Sequence, residues 1–438
     1  LDQFRNRDSG GVHLNSSIVN HAFYQLAAGL PGAIGIGDAA RIFYRALTAH
    51  LVVQSEFIDA RLAAVQSAEE LFGAGDGRVQ RVREAFDAVG IVDGAGTPTP
   101  PTFPGTEGED ALLFLYYDAG LSQTFLGRRE SALGDGASGA RLGTQGAAVR
   151  RPAVTGDGVT AAYVTTAFDV CFVDTNDPAS EACANRAGQL NSIALSPDGH
   201  FAGLVLRDGN GPRNEITVID LRAGGGTTTY PLRAPAFDDG SFDTVAYASE
   251  MDFSADDRLL VYDAFNQVSL TGEAPFTAWS VYALDVVSDI TYVLVQPSSG
   301  VDVGNPSLAQ RSDDHIVFDA FSAAANASTV YAGVLSTGDA TPVATVNGNI
   351  GAPGYAGDDT AIVLTQPDGA VPSGGDLVRQ PIAADRITPS GAATTLLSDG
   401  VFGIVYRRGT FTGPAACVSD VACDDGDPCT TDQCIPAT

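Results

Sequence analysis

The 438-residue sequence contains no lysine, so all 24 of its basic side chains are arginine. Set beside heavy alanine and glycine use, that bias reflects the coding genome and not a mechanism. Positive charge is scarce altogether: 53 acidic residues leave a formal net charge of −29, which repels phosphate backbones and anionic lipid surfaces. Nucleic-acid and lipid partners are set aside on that ground. No apolar run approaches the roughly 20 residues of a spanning helix, and the N-terminus lacks a basic-then-apolar leader pattern. The lone tryptophan, Trp279, lies in a strand-like run where core packing is expected, and the lone methionine is Met251. No G-x-S-x-G elbow occurs, which gives no support to a serine peptidase on an α/β-hydrolase domain. GIGDAA at 35–40 has no strand before it, so it is not a dinucleotide loop. None of the five histidines (His13, His21, His50, His200, His315) opens the H-E-x-x-H pair that holds zinc in many peptidases.

Cysteine is uneven. Cys171 and Cys183 stand in mid-chain, whereas Cys417, Cys423, Cys429 and Cys434 crowd the C-terminal end. An even count in a dense tail predicts disulfides and an oxidising, secreted or cell-surface setting. A zinc ribbon is the rival, but it uses C-x-x-C pairs, and here four or five residues separate neighbours. Asp424, Asp425, Asp427 and Asp432 raise calcium as a weak alternative. They lack the ligand order of a calcium loop, so a solvated acidic tail is the expectation.

What is present divides the chain into four pieces. Residues 1–93 carry helical periodicity: Ile18, Ala22, Phe23 and Leu26 fall on one face, Ile42, Phe43, Ala46, Leu47 and Leu51 on a second, Phe57, Ala60, Ala64, Ala68 and Leu71 on a third, and Val79, Val82, Phe86 and Val89 on a fourth. Asp38 stands where an N-cap belongs and Gly90 where the last helix stops. Residues 94–105 hold prolines that lack a backbone donor and bias their neighbours toward extended conformations, so they form a linker. From 106 to 412 an acidic turn followed by a strand recurs in TGDGVTAAYV, SPDGHFAGLV, SADDRLLVYD, RSDDHIVFDA and AGDDTAIVLT, with looser copies in GEDALLFLYY and SDGVFGIVYR. Gly158, Gly199, Asp257, Asp314 and Asp359 mark separations of 41, 58, 57 and 45 positions, a period that suits one four-stranded blade. One such sheet buries too little alone, whereas several around an axis cover each other's faces. A six- or seven-bladed β-propeller is predicted, with Cys171 and Cys183 stapling a loop of one blade. Residues 413–438 form a cysteine-rich tail.

The four helical segments, DSGGVHLNSSIVNHAFYQLA, GDAARIFYRALTAHL, ARLAAVQSAEELFG and REAFDAVG, resemble in order and separation the C-terminal helical half of the thermolysin-like zinc metalloendopeptidases. The fold class expected is therefore multidomain α plus all-β, a thermolysin-like helical subdomain followed by the propeller, whose repeats resemble TolB-like and WD-type propellers in texture. The resemblance implies that His13 is the histidine donating a hydrogen bond to the oxyanion when water attacks a peptide carbonyl, and that Asp8 orients it. A carboxylate beside an imidazole does favour the protonated, two-donor form, and a preplaced donor suits a developing negative charge. Gly10 and Gly11 let the connecting loop turn tightly, and Ser9 replaces an asparagine common in the family. His21 and His50, on helices without a partner nearby in sequence, are expected to be ordinary packed residues.

The resemblance also implies zinc as cofactor and a protein or peptide as substrate. The family's zinc motif precedes the D-x-G-G-V-H segment, so the ligands are expected upstream of Leu1, and this chain is expected to be incomplete and inactive alone. Helices built to pack on such a half should expose an apolar face of more than a few hundred Å². The propeller is expected to bind a protein or surface ligand. The alternative is a non-catalytic propeller adhesin or protein-binding module that carries a protease remnant.

Overall fold

The computed structural model describes residues 18–51, 57–91, 108, 110–130, 140–185, 187–233, 242–270, 272, 274–287, 289–335, 337–367 and 375–409. They fall into two compact units, one helical and one all-β.

In the helical unit, α1 runs over 18–24 and passes into a π-helical turn, Gln25–Gly29. Helix α2 spans Ile36–Arg45, followed by a second π-helical turn at Ala46–His50; α3 is Phe57–Phe72 and α4 is Gly77–Asp87. The predicted faces converge on one core built from Ala22, Leu26, Ile42, Ala64, Ala68, Val82 and Phe86, with the Phe43 and Phe86 rings stacked. Leu47 departs from its predicted face and is 65% exposed, because the π-helical turn alters the angular step along that helix. Ile36 and Tyr44 of the same helix are exposed as well.

The capping expectation at Asp38 is corrected. Gly35, at φ +85°, heads α2, and Asp38 lies in the first turn, where its carboxylate pairs with Arg78 at 2.8 Å and Arg41 at 3.4 Å. Among the described residues the side-chain cap is Asp76, which accepts the Arg78 backbone N–H at 2.9 Å and opens α4. Gly90, at φ +78°, follows the end of α4 as expected.

The β unit consists of six antiparallel sheets, so six blades replace the six-or-seven expectation. The innermost strands of the second to sixth blades are Ala153–Val154, Leu190–Leu195, Phe242–Phe253, Val301–Leu308 and Gly354–Tyr355. The first blade is assembled from both ends of the unit: Val401–Arg407 pairs antiparallel with Asp110–Asp118, which pairs with Gln123–Glu130. Core clusters form between blades, as where Val205 and Ile216 of the third meet Phe253 and Tyr262 of the fourth. Trp279 packs its edge on Tyr247 at 5.5 Å in the fourth blade.

The acidic repeats are the turns between the first and second strands of blades two to six. In four of them an aspartate (Asp157, Asp198, Asp256 or Asp358) accepts the backbone N–H two residues on. The residue after that aspartate takes a left-handed conformation: Gly158 at φ +69°, Gly199 at +74°, Asp257 at +61° and Asp359 at +56°. Glycine and aspartate are among the residues that tolerate this region, which explains the D-G/D-D alternation. The looser copy SDGVFGIVYR is a different element, since it leads into the closing innermost strand of the first blade.

Candidate functional site

His13 and Asp8 lie outside the described residues, as do Cys417, Cys423, Cys429, Cys434 and the aspartates of the tail. Of the other histidines, His21 has a partner that the sequence reading overlooked, Gln25 one turn along at 3.0 Å. His50 meets Glu70 at 3.2 Å, and His200 meets Asp198 at 2.6 Å. Burial lowers the pKa of half-buried His315. None of these gathers with others into a metal site. Among the described residues the one trio of potential ligand atoms within 4.8 Å of one another is Cys171, Glu181 and Cys183. The two cysteines are bonded to each other as a cross-strand pair on neighbouring strands of the second blade, which realises the predicted staple. With both sulfurs in a disulfide, that trio does not fit a catalytic zinc.

The site that the fold does build lies on the propeller axis. All six innermost strands line a channel with a volume of about 110 Å³ for water-sized occupants. Its polar wall includes Arg151, Asp252, Ser307, Gln310 and Arg407. Arg151 is only 7% exposed; its backbone N–H donates to Glu250 Oε2 at 3.0 Å, and Nη2 donates to the carbonyls of Asn305 at 3.1 Å and Pro353 at 2.9 Å. Asp252 Oδ2 accepts the Ser307 hydroxyl at 2.8 Å and the Leu308 N–H at 3.0 Å.

Buried acids that join the blades stand behind this wall. Asp263 accepts the backbone N–H groups of Glu250 at 2.8 Å and Asn305 at 2.9 Å. Asp319 accepts those of Gly351 at 2.5 Å and Ala352 at 2.9 Å, together with the Asn305 amide. Thr365 Oγ1 accepts the Phe402 N–H at 3.1 Å. These three second-strand positions each capture the backbone of the next blade's innermost segment, where Asn305, Ala352 and Phe402 all adopt positive φ. Burial raises the carboxyls of Glu250, Asp252 and Asp319, with the Arg151 charge opposing the rise at all three; burial and then the nearby Glu250 push Asp263 up to about 7. Sequence reading missed this set. The available signal was an aspartate inside an apolar strand at matching places in LLVYDAF and HIVFDAF.

Comparison with known proteins bears on the helical unit. Residues 2–91 match the model for the thermolysin metallopeptidase alpha-helical domain. This segment is a thermolysin-type helical domain. Over 91 residues it is 48% identical to bacillolysin of Brevibacillus brevis and 42% identical to thermolysin of Alicyclobacillus acidocaldarius subsp. acidocaldarius. It is also 42% identical over 88 residues to the extracellular elastase of Staphylococcus epidermidis. The first two alignments cover 19% of this chain and 17% of each relative, so the chain spans about a sixth of the length of the curated proteins it matches. Among solved structures, TolB from Acinetobacter baumannii aligns over 75% of this chain and 73% of its own, at 14% identity and a TM-score of 0.48. The six-bladed architecture rests on the strand pairing itself. No helix among the described residues is long and apolar enough to cross a membrane.

Proposed function

We propose that this chain is the downstream part of a secreted or cell-surface zinc metalloendopeptidase. The observation that carries the reading is the D-x-G-G-V-H segment, residues 8–13, inside the stretch that matches the thermolysin-type domain. In this reading Asp8 holds the His13 ring in its two-donor form, and His13 donates to the oxyanion of the tetrahedral intermediate as a peptide bond is hydrolysed. The described residues offer no fit for the zinc ion and the sequence has no H-E-x-x-H pair, so in this reading the metal ligands come from a preceding segment. The propeller, from about 106 to 412, holds protein substrate or anchors the enzyme.

The test is a proteolysis assay with zinc, comparing this chain alone with the chain joined to the segment encoded ahead of Leu1. Peptide hydrolysis by the joined protein and none by the chain alone is the expected result. A preceding segment without H-E-x-x-H, and no hydrolysis by the joined protein, overturns it. That outcome favours the second reading, a propeller adhesin or binding module with a protease remnant, which the lack of the zinc motif in these residues supports.

A further inference from the structure

The propeller channel contains a buried cation that no carboxylate among the described residues pairs with directly. Arg151 is 7% exposed, and its hydrogen-bond partners are carbonyls, which satisfy Nη2 but carry no countercharge. Among the described residues no carboxylate oxygen lies within 4.0 Å of its guanidinium. Arg407, on the same wall, differs: it is paired with Asp110 at 2.5 Å and Asp358 at 3.4 Å. Taking a charge out of water without a partner costs several kcal/mol. A guanidinium has five N–H donors in a planar fork, so Nε and Nη1 of Arg151 remain for an occupant of the channel.

Asp252 lines the channel with Arg151 and feels its charge. Its bonds from Ser307 and Leu308 both reach Oδ2 and the Phe253 backbone N–H is a third donor, while a carboxylate offers about four acceptor sites, so acceptor capacity remains. Nearby walls are apolar, among them Ala153, Ala194, Met251 and Leu308. A cationic fork, an acceptor and an apolar wall together match what the last residue of a peptide presents: a carboxylate, an amide N–H and a side chain.

We propose that the propeller channel binds a ligand carboxylate on Arg151, with Asp252 accepting the adjoining amide N–H. The ligand is the C-terminus of a peptide or, sharing the same chemistry, a small free carboxylic acid. This deepens the reading of the propeller as the binding part and does not rest on proteolysis.

The experiment is calorimetric titration of the intact chain with an N-acetylated tetrapeptide bearing a free C-terminal carboxyl, with the same peptide as its C-terminal amide, and with acetate. Binding of the acid at least tenfold tighter than the amide is expected, the size of a charge-assisted hydrogen bond. Arg151→Gln should remove that preference, while Asp252→Asn should weaken the peptide and leave acetate unchanged. Acid tighter than acetate assigns a peptide C-terminus; acetate equal to the acid assigns a free small acid. Equal binding of acid and amide, or no heat from either at millimolar concentration, overturns the proposal. The acid–amide comparison uses the unaltered chain, so it holds even where a variant at buried Arg151 fails to fold.

Discussion

Arg61 is 2% exposed, and its guanidinium organises the end of the helical unit. Nη1 donates to the carbonyls of Ile91 at 2.5 Å and Arg83 at 3.0 Å and lies 2.8 Å from Asp87. Removing it strands buried acceptors, each worth about 1–3 kcal/mol. Arg61→Leu should therefore lower the urea-measured stability of this unit by about 2–4 kcal/mol, and Arg61→Lys, which keeps one charged nitrogen able to donate to several acceptors, should recover part of it. An unchanged midpoint for Arg61→Leu would refute the bonding role. The helical period of α3 was legible from Phe57, Ala60, Ala64, Ala68 and Leu71, but a buried arginine among them was not. Its partners stand 22 and 30 residues further on, and only the packed fold shows that they wait there. At His13 the expected effect is catalytic: in a complete zinc-loaded enzyme, His13→Ala should reduce kcat by about 10² to 10³, the usual loss for one oxyanion donor. A loss under tenfold in a peptide-hydrolysis assay would remove His13 from that role.

At the scale of elements, the turn and the latch did different jobs and were unequally visible. The D-G and D-D turns could be read because their chemistry is local: an aspartate satisfies a backbone donor two residues away, and the next residue must tolerate positive φ. The blade latches are long-range. Asp319 holds the Gly351 and Ala352 N–H groups of the following blade, and no spacing rule announces such a pair. Cutting that latch leaves two buried donors unpaired, so Asp319→Ala should destabilise the propeller by about 3–5 kcal/mol in a denaturant titration. Asp319→Asn, which keeps one acceptor oxygen, should cost clearly less. Equal losses for the two variants would mean that side-chain volume, and not the captured backbone, holds these blades. The closing strand was obscured for a related reason. SDGVFGIVYR resembles the other copies in composition, yet its pairing partner begins at Asp110, almost the full length of the unit away.

At the scale of the whole molecule, charge and burial act together on stability. A net charge of −29 already opposes compaction, and the propeller adds acids whose carboxyls titrate late. Burial raises Asp263 to about 7; burial and the neighbouring Asp198 raise Asp257 to about 9. Glu250, Asp252 and Asp319 are raised as well. For each, the folded state binds the proton more tightly than the unfolded chain. The stability they contribute is complete below pH 4 and is lost as pH rises through the folded values. Half-buried His315 works the other way, since its lowered pKa makes the fold gain as pH rises through the ordinary histidine range, but it is one group against several acids, Asp313 and Asp359 also being raised. Carboxylates with lowered values, such as Asp220 at about 2 beside Arg222, change nothing above pH 5. Calorimetric Tm should therefore fall steadily from pH 5 to pH 9. Asp257→Asn, which removes the carboxyl facing Asp198, should flatten the upper half of that slope and raise Tm at pH 9 relative to the parent chain. A Tm that climbs between pH 5 and pH 9, or an Asp257→Asn protein that tracks its parent at every pH, would show that these acids are solvated in the fold.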